Sequence, residues 1–141
     1  MKPTKHSGTT FRLLEPFLDA VDRAEGRHKK FHSPGFMDLS MEYLGYADRH
    51  GFPVYAMAHY GEQNGDLMAD PDMTFSVDRD AGRVEALTWQ NDYLGRYDEV
   101  YRRRDDGALL YSPSIRTSLD DFLWRWAKNL QDQGFDPLEA A

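Results

Sequence analysis

No cysteine occurs in the chain, which excludes disulfides, thiol nucleophiles and thiolate metal ligands together. No run approaches the roughly 18 apolar residues of a membrane-spanning helix. The start, MKPTKHSGTTFRLL, also lacks the apolar core of a secretory leader. A cytoplasmic protein with no membrane attachment is the expectation. Basic residues are outnumbered 17 to 24, for a formal charge of −7. Broad electrostatic binding to nucleic acid is therefore disfavoured, because such binding draws on many neutralised phosphates; a localised nucleic-acid contact stays open. There is no P-loop, GxGxxG, HExxH, EF-hand or GxSxG pattern and no internal repeat.

What is present suits one compact unit. The 141 residues are enough for one core and short for two. A single α+β domain is expected over residues 10–135, with a flexible N-terminus at 1–9 and a flexible C-terminus at 136–141. Charge is uneven: +3 over residues 1–36, −9 over 37–100 and −1 over 101–141. An acidic middle suits solubility, and it also suits attraction of a cationic partner.

Phe11, Leu14, Phe17, Leu18 and Val21 recur on one helical face, predicting a helix near 10–24. Pro16 is placed in the first turn of its main part, where a missing N–H costs nothing. The segment GRHKKFHSPG reads as a solvated connector, with His28 and His32 in no ligand spacing. Met37, Leu39, Met41 and Tyr43 then alternate with polar residues, as a half-buried strand requires. Further strands are expected at about 53–60, 73–77, 84–90, 97–103 and 108–112, the last the weakest, with a hairpin at DRDAGR. Ser118 reads as the cap of a final helix near 118–132, whose apolar face is Leu119, Phe122, Leu123, Trp126 and Leu130. The fold class is thus α+β, an antiparallel sheet of four to five strands with N- and C-terminal helices packed on one face.

Chemistry concentrates in residues 59–72, HYGEQNGDLMADPD, which read as a polar loop between strands. One imidazole and several hard oxygens suit Mg²⁺ or Mn²⁺: His59 and Glu62 are the catalytic candidates, and Asp66, Asp70 and Asp72 the metal ligands. Asn64–Gly65–Asp66 and Asp70–Pro71–Asp72 equally carry turn chemistry, which needs no metal. A second stretch, Trp89 to Tyr93, places aromatic and amide groups together if Trp89 shares a face with His59. The binding candidates are accordingly Tyr60, Gln63, Asn64, Trp89, Gln90, Asn91 and Tyr93. Arg102, Arg103 and Arg104 alternate sides of a strand and read as a solvated edge.

Three stretches, AHYGEQNGDLMADPDMTF at 58–75, LTWQNDYLGRYDEVY at 87–101 and LDDFLWRWAKNLQDQGF at 119–135, resemble an uncharacterised family of small proteins and domains found on conjugative elements, plasmids and phages. The resemblance implies a compact domain in a mobile-element setting and transfers no activity. The leading expectation is a noncatalytic recognition or regulatory domain with a protein partner and no cofactor. The alternative is a phosphodiester hydrolase dependent on Mg²⁺ or Mn²⁺ and built on the 59–72 segment.

Overall fold

A computed structural model describes residues 2–139. Met1 and residues 140–141, within the expected flexible ends, lie outside the described residues. The chain is α+β. Helix α1 (Ser7–Arg23) is followed by β1 (His28–Phe31), β2 (Leu39–Ala47), β3 (Pro53–Gln63), β4 (Asp66–Asp78), β5 (Arg83–Asn91) and β6 (Arg96–Glu99). A small hairpin of β7 (Tyr101–Arg103) and β8 (Leu109–Tyr111) leads into α2 (Pro113–Asp132). The sheet is an antiparallel meander of six strands in chain order, and β7–β8 form a separate pair. The expected four to five strands were too few.

The extra strands lie where apolar alternation is missing. β1 was read as a connector because HKKF carries one apolar side chain; that residue, Phe31, is fully buried and edge-on to Phe17 at 5.0 Å between ring centres. The supposed 59–72 loop is the tip of the β3–β4 hairpin, closed by Asn64 at φ +52° and Gly65 at φ +84°. Positive φ at both central residues makes this a type I′ turn, whose twist matches that of the strands it joins. The expected 97–103 strand breaks at Val100 into β6 and β7. Met37 is 40% exposed, not in the core, because β2 begins only at Leu39.

Both helices differ in detail from expectation. α1 is continuous through Pro16. The lost hydrogen bond is the one to the Arg12 carbonyl, and because both residues lie on the exposed stripe that carbonyl stays open to solvent. α2 starts earlier than Ser118: Ser112 Oγ accepts from Ile115 N at 3.3 Å, and Pro113 occupies the first turn. Leu119, Leu123, Trp126, Ala127 and Leu130 are buried, while Phe122 lies at the rim, 37% exposed. Past α2, Gly134 at φ +82° turns the chain so that Phe135 N bonds to Leu130 O, and Phe135 is buried.

Both helices pack on one sheet face, with Leu39, Met41, Tyr55, Met57, Met73, Phe75 and Val77 in one apolar cluster beneath them. Asp22 pins α1 to this sheet, accepting from Arg27, from the Tyr55 hydroxyl at 2.7 Å and from Arg79 at 2.8 Å. Burial opposes its charge, but the hydrogen bonds from Arg27 and Tyr55 outweigh it and hold the carboxyl below its usual range.

Candidate functional site

Strand pairing sorts the expected site residues onto opposite faces. Met41, Met57, Met73 and Trp89 are successive partners, and His59 lies two residues beyond Met57 on the same side. That side is the one the helices cover. Trp89 does share a face with His59, but it packs edge-on to Phe122 at 5.7 Å, and its buried indole N–H has no partner among the described residues. The His59 imidazole is 8% exposed. Its Nδ1 lies 3.1 Å from the Asp38 carbonyl, and its Nε2 takes the Trp126 indole N–H at 3.1 Å. A carbonyl only accepts and an indole only donates, so the ring is the neutral Nδ1–H tautomer with both nitrogens engaged.

The other face carries two complete cross-strand rows. One runs Lys30, Ser40, Ala58, Asp72, Gln90, Tyr97 and the other His28, Glu42, Ala56, Thr74, Thr88, Glu99. Small side chains occupy its middle, and the Thr74 and Thr88 hydroxyls bond to each other at 2.6 Å. The phenol of Tyr97 on β6 is raised by burial, by Glu99 and by Tyr46 of β2. β2 and β6 are four strand spacings apart, roughly 19 Å, so these two long phenol side chains lean toward each other across this face and, with the small side chains of its middle as floor, bound a shallow trough. Ala58 is only 2% exposed there although no helix covers it.

Asp72 sits in the trough. Burial raises its pKa, and Glu42 and Asp92 raise it further, against the lowering effect of the Tyr60 hydroxyl, which donates to Oδ2 at 3.2 Å. Burial and the same carboxylates push the Tyr60 phenol up to about 12. Asp92 stays ionised more readily: Gln90 Nε2 donates to it at 2.8 Å and Ala69 N at 2.7 Å, and its pKa is lowered. No salt bridge is made by Glu42, Asp72, Asp92 or Glu99 among the described residues. The trough thus holds one half-buried carboxylate, Asp72, with Glu42 and Asp92 nearer solvent around it, the Tyr60 phenol and the Gln90 amide beside them, and His28 and Lys30 at the β1 end of the two rows.

The remaining candidates scatter. Glu62, Gln63, Asn64 and Asp66 form the exposed hairpin tip. Asp70 accepts from Asn91 Nδ2 at 3.0 Å, facing away from Asp72 along the strand. Tyr93 lies over Gly61, where a Cβ would come within 3.1 Å of its ring, so glycine makes room for the phenol. Among the described residues no three His, Asp or Glu side chains are grouped to hold a metal ion. Tyr60, Asp72 and Gln90 do come together. Glu42, Asp92, Tyr97 and Glu99 join them; sequence reasoning missed these four because it did not fix which strands are neighbours.

Residues 12–136 match the model of a family described as a domain of unknown function, DUF6908. That description carries neither an activity nor a mobile-element setting. No curated protein and no solved structure gives a significant match. No helix among the described residues is long and apolar enough to cross a membrane.

Proposed function

The chain belongs to the DUF6908 family, and from its uncovered sheet face we propose that it is a noncatalytic recognition domain whose trough takes a cationic segment of a partner protein. The observation that carries this reading is Asp72, a half-buried carboxylate held beside Glu42 and Asp92 and in no ion pair among the described residues. Charge crowded in this way is costly in the free protein, and a Lys or Arg side chain laid over the small residues of the floor relieves it. The Tyr60 and Tyr97 rings add rigid contact area for the aliphatic part of such a side chain. The mobile-element setting implied by the resemblance is compatible with a basic nucleic-acid-binding protein as the partner.

The test uses an arginine-rich peptide as probe and backbone amide NMR as readout. Saturable shifts at Ala56, Ala58, Thr74 and Thr88 that weaken with added salt, and that are lost in the double variant Glu42→Gln/Asp72→Asn, support the reading. Shifts spread evenly over every acidic surface, or binding retained by that variant, would overturn it.

A further inference from the structure

The sheet ends in two edge strands, and they differ. β1 is guarded: His28, Lys29 and Lys30 fill three of its four positions, and lysines on an edge oppose pairing with a further strand. The C-terminal segment is also tied to it, with Lys29 Nζ donating to the Glu139 carbonyl at 3.2 Å and His32 N to Glu139 Oε1 at 2.6 Å. β6, at the other end of the sheet, has a neighbour on one side only. The Val100 amide points inward to Leu87 O, so by the alternation of an antiparallel ladder Tyr97 and Glu99 turn their amides and carbonyls outward. The open edge ends at Val100, whose carbonyl accepts from Ser112 N.

A groove of about 660 Å³ runs beside this edge, with Tyr97, Glu99 and Val100 on one wall and Leu110, Tyr111 and Ile115 on the other. Tyr97 is 55% exposed, and Leu94, in the turn that enters β6, is 68% exposed. Two large apolar side chains thus face solvent next to a partly apolar groove and a row of outward main-chain groups. Charged residues ordinarily guard an edge, as the lysines of β1 do, but those of β6 are of both signs. Arg96 and Asp98 share one face of the strand, and Tyr97 and Glu99 the other.

We propose that β6 pairs antiparallel with β6 of a second copy of this chain, joining the two sheets across a two-fold axis at Tyr97. In such a pairing residues that turn outward oppose each other, so the axis falls level with a residue and not between two. Centred on Arg96, Asp98 or Glu99, it would set a charge against its own copy. Tyr97 is the uncharged member of the strand. An axis there sets the two Tyr97 rings side by side and places Arg96 of each copy across from Asp98 of the other. The same register brings Leu94 of each copy level with Val100 of the other, at the apolar wall of the groove. Main-chain bonds, ion pairs and apolar contact then each occur twice, as an interface of one patch with itself requires. Glu42 and Asp72 lie on other strands, so this inference goes beyond the reading of the trough and does not depend on it.

The experiment is sedimentation velocity of the full chain at concentrations up to ~1 mM, where a monomer–dimer equilibrium is expected. Arg96→Glu and Asp98→Lys are each expected to weaken the dimer roughly tenfold, since either sets like charges together at both ends of the pairing, with circular dichroism unchanged. Mixed in equal amounts, the two variants are expected to associate about as well as the wild type, because each then offers the charge the other lacks. Leu94→Ser is expected to weaken association about fivefold. A wild-type chain that stays monomeric at ~1 mM would leave the edge to a foreign strand and overturn the proposal. So would a dimer that neither charge variant weakens, or a pair of variants that stay apart when mixed. The double variant in the trough, Glu42→Gln/Asp72→Asn, leaves this association intact, so the two readings fail separately.

Discussion

Beneath the helices, Tyr55, Met57 and Met73 fill space against α1 and α2 in one apolar cluster. One residue along each strand, Ala56, Ala58 and Asp72 face the trough, where the two alanines form a low floor. The same two strands, β3 and β4, thus supply large side chains on one side and mostly small ones on the other. Stability rests mainly on the first face, because buried apolar area is the larger energetic quantity. The recognition proposed above would use the second, where Asp72 lies beside Glu42 and Asp92 with the Tyr60 hydroxyl as its hydrogen-bond donor.

The comparison can be broken most forcefully at Trp126, which is 6% exposed and bonded to His59. Trp126→Ala is expected to cost about 3–5 kcal/mol in chemical denaturation. A loss below about 1 kcal/mol would mean that the covered face is not where the stability lies. Next in size is Pro16→Ala, which restores a helical hydrogen bond on the exposed stripe of α1 and should stabilise by roughly 1–3 kcal/mol. An unchanged melting temperature would mean that the missing bond to the Arg12 carbonyl costs the helix nothing.

On the other side of the argument, Gly61→Ala puts a methyl against the Tyr93 ring. That ring is 47% exposed and free to swing outward, so a cost of about 1 kcal/mol is expected. Loss of contacts from the Tyr93 ring to Gly61 in NMR spectra would accompany it. The smallest effect belongs to Asp72→Asn. The folded pKa of Asp72 is raised above its unfolded value, so the folded state binds the extra proton and stability falls as pH rises through that raised pKa. The variant removes this dependence. It should match the wild type at low pH and exceed it at neutral pH, by less than about 1 kcal/mol. Denaturation curves at several pH values measure the gap, and a gap that widens on acidification would reverse the assigned sign.

The helix-covered face was largely legible in the sequence. Phe11 to Val21 and Leu119 to Leu130 repeat at helical spacing, and Met73, Phe75 and Val77 alternate cleanly, because a buried face forces apolar residues into register. The trough was only half legible. Tyr60, Asp72 and Gln90 were singled out, but for a loop and an aromatic site that the pairing does not build. Trp89 and Gln90 are adjacent in sequence and therefore on opposite faces, so the supposed cluster was divided by the pleat itself. Glu42 and Asp92 could not be added without knowing which strands are neighbours. The hairpin tip was misread for a related reason: Glu62, Gln63 and Asp66 are wet on both sides, and a ribbon without a buried face leaves no period to detect.

Val100 carries a different kind of consequence. Its amide donates to the carbonyl of Leu87, the unmatched residue between Ala86 and Thr88 in β5, and its own carbonyl accepts from Ser112 just before α2. The chain therefore leaves the main sheet and returns to it at one clamped peptide, with β7 and β8 as an excursion between. Because both ends of that excursion are fixed at the same point, its length is uncoupled from the placement of α2. The Asp105–Asp106–Gly107 turn is accordingly a natural port: a tag, a fluorophore or a second folded module spliced there would leave the core and the trough with the spacing they have now.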